Sequence, residues 1–354
     1  MKFFLSVTIV FLLTAFADAS QAQTVALTAW TPELQMKVKT LGPPRVSPDG
    51  KRVAYTVVNE MITADNSEFV TQIFLSNTDG SGSFHITFGE KSSTNPKWSP
   101  NGNSLAFTSN RKDNKNNLYL LRLNGGEAEP LTDLKSSIAD YEWSPDGRWI
   151  AFAMTDAKTE EEEKNDKGKA DHRWVDENVK MSRLYVVALQ AEANGKREPR
   201  KLTMENYTVS GSFDWSSDGK QIVFAHTKTP GANDWTSSDV SLVEVSSGKV
   251  SSLAATPAAE TSPTFAPDGK SVALLISNTP PRWAQSGAIH VLSSAGGTPK
   301  SLAASYDGQP NIAGWSADGK RIYFSESKGT GTRIYVVDVA ANKVAEINQT
   351  DEVY

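Results

Sequence analysis

Trp143-Ser144-Pro145-Asp146-Gly147-Arg148-Trp149-Ile150-Ala151-Phe152 joins a turn to a strand, and each residue type has a local reason to be there. Proline pre-sets φ at the first turn position, aspartate can bond nearby backbone, and glycine supplies the positive φ that ends the turn. After the turn, apolar Ile150 and Phe152 alternate with smaller neighbours, as a strand with one buried face requires. The same unit recurs as Val46-Ser47-Pro48-Asp49-Gly50, Trp98-Ser99-Pro100-Asn101-Gly102, Trp215-Ser216-Ser217-Asp218-Gly219, Phe265-Ala266-Pro267-Asp268-Gly269 and Trp315-Ser316-Ala317-Asp318-Gly319. The six glycines are 52, 45, 72, 50 and 50 residues apart, so one insertion interrupts an otherwise regular period.

That period is the size of a four-stranded propeller blade. A second apolar pair follows each copy, as in Asn117-Leu118-Tyr119-Leu120 and Arg183-Leu184-Tyr185-Val186, and small or polar turns such as Asn124-Gly125-Gly126 close it. The expected fold is all-β: a β-propeller of four-stranded antiparallel blades with PDG-type, WD-like repeats. Blades are expected at about 43–88, 95–132, 140–203, 212–254, 262–303 and 312–348. The aromatic before each turn is read as packing between blades rather than as a ligand contact.

Composition narrows the function. The chain has 354 residues, 38% of them hydrophobic, so it can bury a core, and its 36 basic and 41 acidic residues are intermixed, which argues against a nucleic-acid partner. Residues 1–22 read as a signal peptide: Lys2 precedes an apolar run from Phe3 to Phe16, and small residues follow up to Ala19 and Ala22. The run is shorter than the ~20 residues of a spanning helix, so the expectation is export to the periplasm or beyond, with cleavage after Ala19 or Ala22 and no membrane contact afterwards. There is no cysteine, hence neither disulfide nor thiolate metal site. Residues 23–42 form a lead-in, and 43–354 the propeller.

With the repeats, the exported start and the lead-in Thr31-Pro32-Glu33-Leu34 running into Gly42-Pro43-Pro44-Arg45, the sequence resembles the propeller of the prolyl oligopeptidase family of serine peptidases, nearest its acylaminoacyl-peptidase-like branch. The resemblance implies a seventh blade and an α/β-hydrolase domain carrying the catalytic triad, for which the propeller restricts access to peptides. Only six blades are visible, and no G-x-S-x-G elbow occurs. The nearest string, Gly80-Ser81-Gly82-Ser83-Phe84, lacks the final glycine and lies in an expected hairpin. No catalytic residue, metal ligand set or cofactor site is therefore assigned, and the chain alone is expected to be inactive.

In such a fold the loops after the second strand share one face, and four of them are long: 59–70, 155–182, 226–239 and 277–287. The 155–182 insertion holds nine acidic and six basic residues, and its part 157–169 is expected to be a solvated flexible loop. His172, Arg173, Trp174, Trp235, Arg282 and Trp283 on these loops are the candidate binding residues, because tryptophan and arginine dominate contact surfaces. The expected partner on that face is a peptide substrate or a hydrolase domain. The paired-glutamate motif of an aminodipeptidase is not found, the run at 160–163 having no aromatic frame. The competing reading is a free-standing periplasmic propeller like that of the Tol system, which binds protein partners.

Overall fold

The computed structural model describes residues 29–63, 67–170, 177–204, 206–282 and 286–347. The chain divides into two compact units, up to Val38 and from Lys39 onward. Within the first, helix α1, Pro32–Lys37, starts at Thr31, whose hydroxyl accepts the Leu34 amide at 3.2 Å, with proline at the first helical position. No helix among the described residues is long and apolar enough to cross a membrane.

The second unit is a succession of six antiparallel sheets, each built from consecutive strands. The first has five strands, Thr40–Leu41, Arg45–Val46, Arg52–Ile62, Ser67–Asn77 and Phe84–His85. The others have four each and open with Ser93–Trp98, Ile138–Trp143, Thr208–Trp215, Glu260–Phe265 and Asn311–Trp315. The repeated turn follows Arg45–Val46 in the first sheet and the opening strand in the others, and its glycine holds φ between 68° and 72°. In five of the six turns the serine hydroxyl donates to the Asp or Asn side chain and accepts the amide five residues on, as when Ser144 bonds Asp146 at 2.7 Å and Trp149 N at 2.9 Å. Ala266 interrupts the pattern, leaving Asp268 with the Lys270 amide at 2.9 Å.

Consecutive sheets pack face to face. In the second, third and sixth sheets an aromatic pair from the middle strands stacks: Phe107 with Tyr119, Phe152 with Tyr185 and Phe324 with Tyr335, at 5.3 to 5.8 Å between ring centres. Each pair lies against small or aliphatic residues of the preceding sheet, such as Ala106, Leu118 and Leu120 under Phe152. The turns nest as well, since a Cβ on Gly102 or Gly147 would touch the ring of Pro48 or Pro100 at 3.5 Å.

Five interfaces join sheets one to six, and among the described residues no apolar cluster joins the sixth sheet to the first. The first sheet's outer face carries Val46, which is 57% exposed, and a stacked Tyr55–Phe74 pair at 5.6 Å. The sixth sheet's outer face carries the paired residues Tyr323 and Val336, with Ile334 and Ile347 exposed beside them.

Two loop expectations need correction. Residues 59–70 are not a loop, because the second and third strands stay paired out to Ile62 and Ser67. Nor is 157–169 a flexible loop: it holds helix α2, Glu160–Lys167. Thr159 and Glu162 form a reciprocal capping box, with four glutamates in the first turn and lysines in the last, so the charges complement the helix dipole.

Candidate functional site

Of the six candidate residues, His172, Arg173, Trp174 and Trp283 lie outside the described residues; Trp235 and Arg282 are described. Trp235 sits in the 3-10 helix Ala232–Ser237, between strands that remain paired to His226 and Asp239. That short helix is pinned from below: the Thr229 hydroxyl donates to Asp234 at 2.6 Å, and the Ser237 hydroxyl donates to the Asp234 carbonyl at 2.7 Å. Trp235 is half-buried in its own loop. Arg282 is exposed in the loop closed by Asn278 and Ser286, whose backbone bond measures 2.9 Å.

The base of the 155–182 insertion is firmly tied. Asp156 takes Arg183 Nε and Lys201 Nζ, both at 3.3 Å, while Arg183 also donates to the Tyr207 carbonyl at 2.8 Å. Above it, Glu162 of α2 pairs with Lys180 at 2.7 Å and accepts the Thr159 amide at 2.6 Å. The Lys180 ammonium first, then the Thr159 amide, hold the Glu162 carboxyl down to about 2. Within the 160–163 run, Glu162 is thus committed to its own insertion.

A second polar group was not visible in the apolar pattern. The residues just before the repeated aromatic, Lys97, Glu142, Asp214, Thr264 and Gly314, with Arg45 before Val46, occupy one register on the strands that lead into the turns. Lys97 Nζ bonds Glu142 Oε1 at 2.6 Å, the Tyr141 carbonyl at 2.6 Å and Asp140 Oδ1 at 3.0 Å. Burial pushes the Glu142 carboxyl above the usual range against the pull of Lys97. Burial also raises Asp214, against hydrogen bonds from Phe265 N at 2.8 Å and the Thr264 hydroxyl at 3.0 Å. Aligning the six repeats and reading the position before the aromatic would have found this series.

For catalysis the described residues offer one serine–histidine contact, His226 Nε2 to Ser241 Oγ at 2.9 Å. Ser241 is 4% exposed in the middle of a sheet, paired with Phe224 on one side and Ser252 on the other. Its backbone is committed to the sheet, so a developing oxyanion would find no donor beside it. His85 packs against Phe74 and Phe88, and His290 contacts the Ala288 carbonyl. No group of three or more His, Asp or Glu able to hold a metal occurs among the described residues.

Comparison with known proteins identifies the architecture. Residues 32–159 match the TolB beta propeller domain model. Dipeptidyl-peptidase 5 of Porphyromonas gingivalis is 27% identical over 345 residues, which is 92% of this chain and 50% of that protein. The acylaminoacyl peptidase of Pyrococcus horikoshii superposes with a TM-score of 0.64 at 17% identity, over 91% of this chain and 48% of that one. The β-propeller domain of the Trilobed protease from Pyrococcus furiosus, described as an open velcro topology, superposes at 0.60 with 15% identity, over 89% of this chain and 85% of that one. The chain spans half or less of the length of the curated relatives it matches. It is an all-β propeller similar both to the propeller regions of peptidases and to the TolB propeller.

Proposed function

We propose that this chain is the propeller of an exported serine peptidase of the prolyl oligopeptidase type, and that it admits peptides to a catalytic domain seated on its long-loop face. The observation that carries the reading is the similarity to dipeptidyl-peptidase 5 along 92% of the chain, a span that is half of that relative. The rim residues Trp235 and Arg282, together with His172, Arg173, Trp174 and Trp283, are assigned to contact with the substrate or the catalytic domain. A signal peptide at 1–22 delivers the protein across the inner membrane.

The outer faces of the first and sixth sheets suit one more sheet of the same kind. It would lay aliphatic residues on the Tyr55–Phe74 pair and an aromatic pair on Tyr323 and Val336, repeating the chemistry of three of the five interfaces already present.

The test is immunoprecipitation from the native host with antibodies against this chain, followed by a fluorophosphonate probe that labels active serines. A labelled serine hydrolase in the precipitate, on the same polypeptide or bound to it, supports the reading, and a precipitate without one refutes it. The match of residues 32–159 to the TolB model favours a second reading, a free-standing propeller that binds protein partners. Under that reading the precipitate contains other proteins and no labelled hydrolase.

A further inference from the structure

On the tight-turn side, remote in sequence from the long loops, two adjoining cavities of about 420 and about 270 Å³ lie between the first and second sheets. Arg52 and Arg122 line both. One cavity is completed by Asn103, Ser104 and Asn124, and the other has an apolar wall that includes Leu75, Phe84 and Ile86.

The two arginines are held in place, and their combined charge is only partly balanced. The Arg52 guanidinium lies 5.0 Å from the centre of the Trp98 ring and donates Nη2 to the Gly102 carbonyl at 3.0 Å. It makes no ion pair among the described residues. Asp49 feels its charge only behind the stronger bonds from the Ser47 hydroxyl and the Lys51 amide. Arg122 Nη2 pairs with Glu129 Oε1 at 2.7 Å, and Arg197 shares that same oxygen at 3.5 Å. Two guanidiniums, Arg122 and Arg197, therefore share one carboxylate, and Arg52 has none among the described residues. At the next seam the positions equivalent to Arg52 and Arg122 are Ser104 and Ala188, so this pair of charges is not a general product of the repeat. At the rim, the Gly125–Gly126 turn has φ of 119° and 100° and carries no side chain; a Cβ built there would meet nothing within 4 Å.

We infer that this groove binds an amphiphilic carboxylate, its anionic head between Arg52 and Arg122 and its apolar tail along Leu75, Phe84 and Ile86. A guanidinium fork matches a carboxylate in geometry and charge. The apolar wall rewards a tail that leaves water. A fatty acid and the C-terminal residue of a peptide both present this chemistry, and the two are separated by experiment.

The full chain is titrated calorimetrically with octanoate, N-acetyl-leucine, 1-octanol and inorganic phosphate. The expected result is saturable one-site binding of octanoate or N-acetyl-leucine, weakened about tenfold or more in Arg52→Gln and Arg122→Gln, since a charged hydrogen bond is being removed. Tighter octanoate identifies an acyl-chain ligand, and tighter N-acetyl-leucine a peptide C-terminus. Phosphate binding as tightly would show that the apolar wall is idle, and octanol binding as tightly that the arginines are; either overturns the inference, as does absence of saturable binding. Arg122 is half-exposed, so Arg122→Gln remains folded and decisive if Arg52→Gln does not. Asn124→Trp, which fills the polar cavity and leaves both charges, is expected to abolish binding, and unchanged affinity there would also overturn the inference.

Discussion

The indole of Trp143 in the third sheet donates to the carbonyl of Lys97 in the second, at 3.1 Å. The same bond recurs from Trp98 to Arg45 at 2.7 Å, from Trp215 to Glu142 at 3.2 Å and from Trp315 to Thr264 at 3.2 Å. Every acceptor is the residue two before the turn serine, or Ala266, of the donor's partner sheet: Lys97, Glu142 and Thr264 precede the repeated aromatic, and Arg45 precedes Val46 in its place. Where Phe265 replaces tryptophan, the link is remade differently, by the Asp214 carboxylate accepting the Phe265 amide at 2.8 Å.

Trp143→Phe keeps the ring and removes the donor. The Lys97 carbonyl keeps its place opposite Ala106 in the sheet, so losing the indole bond is expected to cost about 0.5–1.5 kcal/mol in urea titration. No change in stability would show that the indole contributes by packing alone.

Ala266→Ser restores the hydroxyl that the other five turns use. The site is as buried as its counterparts Ser99 and Ser216, so the side chain fits, and two hydrogen bonds are gained. A stabilisation of about 0.5–1.5 kcal/mol is expected from the same titration. Destabilisation would mean that Asp268 and Ser271 are arranged differently from their equivalents.

Glu162 should titrate near 2 in carboxyl-detected NMR, against 4.5 for an ordinary glutamate. Because the folded value is the lower one, its contribution to holding α2 is complete above pH 4.5 and disappears as pH falls through 2. Lys180→Ala should move the midpoint up toward 4.5, and an unmoved midpoint would assign the shift to the Thr159 cap instead.

Val46→Lys separates an open seam from a closed one. With the outer face of the first sheet in water, the change should stay within about 0.5 kcal/mol, whereas Phe324→Ala at the covered face of the sixth sheet should cost about 3–5 kcal/mol. A large loss from Val46→Lys would show that this face is covered in solution.

The strands were legible because each answers to local chemistry: proline, aspartate and glycine fix the turn, and Ile150 and Phe152 alternate on a pleated surface. The helix at Glu160–Lys167 was misread although its signal was present, since Thr159 and Glu162 have capping-box spacing and the charge order is acid first; net charge outweighed order in that reading. The paired extension to Ile62 and Ser67 was missed because Asn59 and Glu60 look like loop residues, and only cross-strand pairing recruits them. Lys97, Glu142 and Asp214 escaped notice because a charged residue between apolar ones reads as solvent-facing. Their partners lie on neighbouring sheets 45 to 73 residues away in sequence.

The direction of the tryptophan links bears on how the molecule is made. Every donor belongs to the later sheet and every acceptor to the earlier one, so as the polypeptide leaves the ribosome each arriving sheet meets a carbonyl already fixed in position. Synthesis at roughly 5–20 residues per second delivers a new sheet every few seconds, far slower than a hairpin forms. Assembly can therefore follow translation sheet by sheet, each one serving as the template on which the next is laid.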